Sequence, residues 1–415
     1  MFIRTLAAVV IAAAATGAAA QQITLRHSLT GASLDALSTL VVRFNDEQKD
    51  KAKVVLQDLS GVADKRQLPN LALFDGDDTW AFFGTRPRFR SMTDLLKAGG
   101  QNLDPRSFYP QIADSVDDPR GRLQALPMAL TLPVLFYNKD AFAKAGLDAA
   151  NPPRTWIEVQ DAAGKLFDAG FKCPLTTSRF AWVHVENVST QHGEQPLVKS
   201  GRGERLAFNN LVDVKHLALL ASWQKSFYFH YFGPGREGDA KFAAGECAML
   251  TSGSGLYADL KGRHMFDYGV ARLPDHEDVY GVQPANVLPD GASLWALAGK
   301  KKDEDRVAAR FVAFLMRPDV QRQWVAGTGY LPMMPLASEA LASAGLPEAV
   351  VDEAKTRLAM PRQANDRMYS GYGRERVRAI LNEEVDLVWK NVKPAKQALD
   401  NAMERANQVS AAGAR

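Results

Sequence analysis

Few side-chain combinations in this chain could carry chemistry, and most of them fail on spacing. Gly233-Pro-Gly-Arg-Glu-Gly238 satisfies the G-x-G-x-x-G pattern that cradles a pyrophosphate. A dinucleotide site needs that turn between a strand and a helix of a βαβ unit. Here Pro234 stands at the second position without such a frame, so the segment reads as a surface loop. Ser252-Gly-Ser-Gly255 lacks the leading glycine of a nucleophile elbow, and neither a phosphate-loop lysine motif nor H-E-x-x-H occurs. The seven histidines are dispersed; His184 and His192, eight residues apart, miss a zinc-ligand spacing and read as ordinary core or surface residues. Glu383 and Glu384 adjoin on a helix, face different directions and make no acid–base pair. With only Cys173 and Cys247, a four-cysteine zinc site and a disulfide-rich scaffold are excluded. No catalytic residue, cofactor or metal is expected. A glycosidase built from distant carboxylates is the enzymatic alternative, because no local motif would announce one.

The composition agrees with this reading. The 415 residues are 46% hydrophobic and 23% charged, which suits a globular chain of two domains. Fifty basic against forty-seven acidic residues give a formal charge of +3, no electrostatic footprint for nucleic acid or an anionic membrane. The first twenty residues differ in kind. Arg4 is followed by the apolar run Leu6–Ala15 and by Ala18-Ala19-Ala20, the order of a cleavable secretory signal with Gln21 as the mature N-terminus. The run is too short for a membrane span of about 20 residues. Export, most simply to a bacterial periplasm, allows Cys173 and Cys247 to pair if the short strands beside them are sheet neighbours; otherwise both are buried small hydrophobes.

The elements that must position any site follow from periodicity. Ile23–Arg26 reads as a strand, His27–Gly31 as a loop, and Leu34, Leu37, Leu40, Val41 and Phe44 as one face of a helix. Lys53–Leu59 and Leu71–Phe74 are further strands, the opening of a parallel α/β sheet, although Ser60–Asn70 leaves room for only one helical turn. Thr155 and Glu158 form a capping box before a stripe of Trp156, Val159, Ala163 and Leu166, and Gly170 closes that helix. Val307, Phe311, Phe314 and Leu315 mark another helix, which Pro318 separates from a shorter one; long helices over Val377–Val388 and Pro394–Gln408 end the chain. Two domains without a flexible linker imply that the chain crosses between them several times.

Several stretches resemble the solute-binding proteins of bacterial ABC importers, in the maltose-binding cluster. They include Leu135-Phe-Tyr-Asn-Lys-Asp-Ala-Phe142, Pro152-Pro-Arg-Thr-Trp156, Tyr268-Gly-Val-Ala-Arg-Leu-Pro274 and Gly329-Tyr-Leu-Pro332. His27-Ser28, Glu186-Asn187, Gly245-Glu-Cys-Ala-Met249, Gly291-Ala-Ser-Leu-Trp295 and Arg378–Glu384 are similar, in the same order, to the branch that binds glycerol phosphate. The resemblance implies an α/β two-lobe, type II periplasmic-binding fold with a hinge and an interlobe ligand cleft. It divides the chain into a signal peptide (1–20), an N-lobe (21–130 plus 275–328) and a C-lobe (131–274 plus 329–415), with crossings near Thr131–Tyr137, Gly269–Pro274 and Thr328–Pro332. It implies a monomer that binds sn-glycerol 3-phosphate or a glycerophosphodiester, or alternatively a sugar or polyol. The closed form would then be delivered to the permease subunits in the membrane. A receptor partner with no small-molecule ligand is a further alternative.

The same resemblance points to site residues. Arg378 matches a phosphate-contacting arginine, at the start of a helix after Gly371-Tyr-Gly373, where free N–H groups would also favour an anion. Arg374, four residues earlier, makes a like-charge pair with it that calls for something anionic nearby. Tyr330 matches a tyrosine aimed into the cleft, Gly291 a glycine whose backbone approaches the ligand, and Trp182 a cleft tryptophan able to stack on a polyol or choline head. Ser252 or Ser254 stands at a ligand-bonding serine position, Thr131 at another, and Asp75 or Asp77 at an acidic residue for ligand hydroxyls. Core packing is the competing reading for Tyr330 and Trp182, a plain turn for Gly291, and a solvated helix face for Arg378.

Overall fold

The computed structural model describes residues 20–49, 51–59, 67–74, 88–110, 112, 122–201, 203–261, 265–276, 286–336, 338–360 and 371–413. The expected signal peptide, the short connection after residue 59, and Asp75 and Asp77 lie outside the described residues, wholly or in large part. Among the described residues no helix is long and apolar enough to cross a membrane.

Two separate sheets carry the molecule. The first contains β1 (Gln21–His27), β2 (Ala52–Asp58), β3 (Leu71–Phe74), β4 (Phe89–Arg90), β5 (Ala125–Pro127) and β13 (Ser293–Leu297), in the order β2-β1-β3-β13-β4 with β5 also on β13. The second is ordered β10-β7-β11-β6-β12, from β6 (Pro133–Asn138), β7 (Leu175–Thr177), β10 (Phe229–His230), β11 (Met249–Gly253) and β12 (Tyr268–Arg272). A hairpin of β8 (Leu197–Ser200) and β9 (Gly203–Leu206) stands apart. β1 runs parallel to both β2 and β3, as the opening strand–helix–strand pattern predicts. Every residue of β3 and β6 is buried, which explains the apolar runs Leu71–Phe74 and Pro133–Phe136: covered on both faces, they have no solvent side to alternate toward.

The helices follow their caps and stripes. In α1 (Gly31–Glu47) the buried residues include Leu37, Leu40, Val41 and Phe44, the face read from sequence. In α2 (Trp156–Asp168) Thr155 Oγ1 accepts the Glu158 N–H at 3.2 Å and Glu158 Oε2 accepts the Thr155 N–H at 3.1 Å, a complete capping box. α3 (Leu211–Lys225), α4 (Lys302–Leu315) and α5 (Pro318–Thr328) follow, with Pro318 at the first position of α5, where a missing N–H costs nothing. The last two helices are longer than periodicity alone indicates: α6 spans Gly371–Trp389 and α7 spans Ala395–Gly413.

The chain changes sheet between β5 and β6 and returns between β12 and β13. At the first crossing the Thr131 N–H donates to Asp290 O at 2.9 Å, and the Asp290 N–H donates back to Thr131 O at 3.0 Å. The Leu331 N–H donates to Leu130 O at 2.7 Å, so three distant segments lie side by side at this point.

Cys173 and Cys247 are bonded, with Cα atoms 4.6 Å apart. The strands lie slightly later than expected, and the cysteines stand just ahead of β7 and β11, which are parallel neighbours. Closing a loop over a separation of 74 residues restricts the unfolded chain, so the double substitution Cys173→Ala/Cys247→Ala is expected to lower stability by about 2–4 kcal/mol. Urea unfolding of that variant measures it; an unchanged midpoint would mean the bond constrains nothing.

Candidate functional site

β1, β7 and β10 point their C-terminal ends toward a common region, the place where α/β sheets leave a crevice for ligands. A cavity of about 700 Å³ lies there. Ser28 and Thr30, just after β1, line it from the first sheet; Arg179, Trp182, Tyr231 and Arg236, after β7 and β10, line it from the second. Asp290 and one face of α6, including Glu375, Arg378, Asn382 and Asp386, complete the wall. A small recess opens beside it, bordered by Thr131, Ser252, Gly253, Gly255, Gly291 and Tyr330, and Arg179 and Arg236 border both spaces.

The charges here form one network. Arg378 donates from Nε to Glu186 Oε1 and from Nη2 to Glu186 Oε2, both at 2.7 Å, a bidentate fork. Its Nη1 reaches Asp290 Oδ1 at 3.0 Å and Glu375 Oε1 at 3.2 Å. Arg374 also donates to Asp290 Oδ1, at 2.7 Å, and Arg179 to Asp290 Oδ2, at 3.3 Å. Burial would raise the Asp290 carboxyl pKa, but Arg378, Arg374 and Arg179 hold it well below the usual carboxylate range. Burial likewise opposes charge on Arg378, and Asp290, Glu186 and Glu375 outweigh it. The like-charge pair on the helix is thus answered by an anion of the protein itself.

One expectation is corrected. Gly371 and Gly373 do not precede the helix but lie inside α6, so Arg378 is its eighth residue and is remote from the free N–H groups of the first turn. Glycine costs a helix only about 1 kcal/mol per residue, which tertiary packing against α7 overrides.

The other expected residues fall as follows. Trp182 is buried on a π-helical segment (Ala181–Asn187), donates Nε1–H to Leu288 O at 2.9 Å, and has the Arg179 guanidinium 5.8 Å from its ring centroid while bordering the cleft. Tyr330 lines the recess and stacks on Trp324. Its ring rests where a Cβ on Gly255 would sit 2.2 Å from it, so Gly255 is glycine for packing. Gly291 has φ +124°, and a Cβ there would lie 1.6 Å from Ala129 O; backbone closeness alone demands the glycine. Ser252 donates to Asp239 Oδ1 at 2.6 Å, whereas Ser254 Oγ accepts the Leu132 N–H at 3.1 Å and meets Thr131 Oγ1 at 3.2 Å. Thr131 Oγ1 also accepts the Gly255 N–H at 3.0 Å, so both Thr131 and Ser254 brace the crossing. Arg179, Tyr231, Arg236 and Asp290 escaped sequence reasoning. The one available signal was the glycine-rich loop at 233–238, which delivers Arg236.

Four of the seven histidines come together in space. His184 Nδ1 meets His216 Nε2 at 2.9 Å, and His216 Nδ1 meets His276 Nε2 at 3.0 Å. His184 Nε2 closes the chain on the Thr177 and Thr251 hydroxyls, at 3.0 and 2.9 Å. The His276 backbone N–H donates to His192 Nε2 at 3.0 Å, which assigns the His192 proton to Nδ1, where it donates to Val188 O at 2.7 Å. Trp156 packs against the rings of His184, His216 and His276. Burial pushes His184 down to about 3 and His276 to about 4, and lowers His216 as well. Contacts 32 and 60 residues apart left no trace in local spacing.

A family model described as bacterial extracellular solute-binding protein matches residues 41–350. The sn-glycerol-3-phosphate-binding periplasmic protein UgpB of Pectobacterium atrosepticum is 34% identical over 98% of this chain and 96% of its own length. The protein of that name from Salmonella paratyphi A is 34% identical over 92% of this chain and 91% of its own. Among solved structures, UgpB from Mycobacterium tuberculosis in complex with glycerophosphocholine superposes with a TM-score of 0.73 at 19% identity, over 95% of this chain and 100% of that one. A cyclic α-maltosyl-1,6-maltose binding protein from Arthrobacter globiformis gives 0.71 at 20% identity, over 94% and 99%. The fold they share is the two-lobe arrangement described above.

Proposed function

Because this chain belongs to the bacterial extracellular solute-binding protein family, we propose that it is the periplasmic receptor of an ABC importer for sn-glycerol 3-phosphate or a glycerophosphodiester. One observation carries the choice of an anionic solute: the half-exposed Arg236 guanidinium borders both the cavity and the recess, whereas Asp290 and Glu375 on the same wall already answer Arg179 and Arg378. Relatives about one-third identical over nearly the whole chain, named for glycerol 3-phosphate, support the same choice. The volume of the cavity, about 700 Å³, falls within the range of small-molecule sites and leaves room for a head group beyond glycerol.

The solute is held between an N-lobe of 21–130 plus 275–328 and a C-lobe of 131–274 plus 329–415, with the paired segments at Leu130–Thr131, Asp290 and Leu331 as the hinge. Trp182 and Arg378 line the larger space, and Thr131, Ser252, Gly291 and Tyr330 the recess. Ser254 is assigned to the hinge instead. The receptor, a monomer, performs no chemistry; closure around the solute presents it to the permease subunits.

Thermal unfolding tests this. Glycerol 3-phosphate or glycerophosphocholine at a hundred times its Kd is expected to stabilise the protein by about 2.7 kcal/mol, with the solute recovered unchanged. Stabilisation by maltose and not by either phosphate compound would replace this reading with a sugar receptor.

A further inference from the structure

Resting on that reading, we infer that Arg236 and Arg179, at the junction of the cleft and the recess, take the anionic end of the solute together with Arg378, the most tightly held of the three. Arg378 is committed: Nε and Nη2 fork onto Glu186, Nη1 reaches Asp290 and Glu375, and only 9% of the side chain is exposed. The fully buried Glu186 carboxylate holds Arg378 in place from behind.

Arg236 is placed differently. Its side chain is 45% exposed and borders both spaces. Its Nε donates to Asp239 Oδ2 at 3.1 Å, and Asp239 is itself oriented by the Ser252 hydroxyl on its other oxygen. A buried carboxylate therefore aims the guanidinium from behind, while the half-exposed side chain faces the space a ligand would fill. Ser252, expected as a direct contact, becomes a positioning residue for Arg236.

The loop that carries Arg236 is fixed to Arg179. The Arg179 N–H donates to Gly235 O at 2.7 Å, and Arg179 itself stands at φ +54°. Gly238 packs so closely on β7 that a Cβ would sit 2.2 Å from Thr177 O. Gly238 thus seats the loop against the end of β7 and sets two guanidinium groups beside both cavities. Two such groups match the several oxygens of a phosphate, which accept forked, charge-assisted bonds.

Calorimetric titration of the full chain with sn-glycerol 3-phosphate tests the assignment. Arg236→Gln is expected to weaken binding at least fivefold, Arg236→Lys to recover part of the loss, and the affinity of Arg236→Gln to depend less steeply on salt. Gly238→Ala, which keeps every charge but lifts the loop, is expected to weaken binding as well. Circular-dichroism melting of Arg236→Lys, which keeps a cation beside Asp239, should match the parent. If the parent binds and Arg236→Gln loses less than fivefold, the assignment is overturned while the receptor reading stands; if the parent binds no phosphate compound, that reading itself fails.

Discussion

Glu186→Ala is expected to lower the unfolding free energy by about 3–5 kcal/mol. Glu186 is fully buried and accepts two charge-assisted bonds from Arg378, so its removal leaves a buried guanidinium short of its counter-charge. Glu375→Ala is the matching control. Glu375 meets the same arginine at 3.2 Å but is 19% exposed, and its loss is expected to cost less than about 1 kcal/mol. Urea unfolding of the two variants side by side gives the comparison, and equal losses would mean that the fork to Glu186 adds nothing over the contact with Glu375. Because truncation also unsettles Arg378, Glu186→Ala should abolish phosphate binding even though Glu186 does not line the cavity.

Acid should unfold the protein through its histidines. Their folded pKa values lie below the ordinary 6.5, so below pH 6.5 the unfolded chain binds protons that the folded chain refuses. Stability is full above that pH and falls as pH drops from 6.5 toward the folded values. With His184 at about 3 and His276 at about 4, each is expected to contribute roughly 2 kcal/mol of destabilisation at pH 5. His216 acts in the same direction. Asp213, on the same helix as His216, opposes them: burial raises its pKa, so the folded state gains its proton first and part of the loss is offset. Urea midpoints at pH 8 and pH 5 measure the sum, and His184→Gln should flatten the difference. A profile equally steep in that variant would assign the acid response elsewhere.

What could be read from the sequence divides by the range of the interaction. The capping box at Thr155 and Glu158, the buried face of α1 and the limits of β3 were all legible, because each is set by residues within a few positions. The lobes' interleaving followed from the absence of a linker and from family likeness. Pairings across the fold were not legible. Nothing near Ser252 reveals that its hydroxyl turns to Asp239, and nothing near Arg378 reveals Glu186, 192 residues away. The glycine-rich loop shows the same limit. Its pattern reads as a surface loop, yet the reason for Gly238, contact with the backbone of β7, is purely tertiary.

Asp290 occupies two roles with one residue. Its backbone is stitched to Thr131 where the chain passes between sheets, and its carboxylate is the common counter-ion of Arg179, Arg374 and Arg378. With the hinge proposed above, the fulcrum of the molecule is also its electrostatic centre. A solute that rearranges the charges around Asp290 pulls on the pivot directly, and a rotation about the pivot retunes the charges in return. Occupancy and posture are then two readings of a single mechanical part.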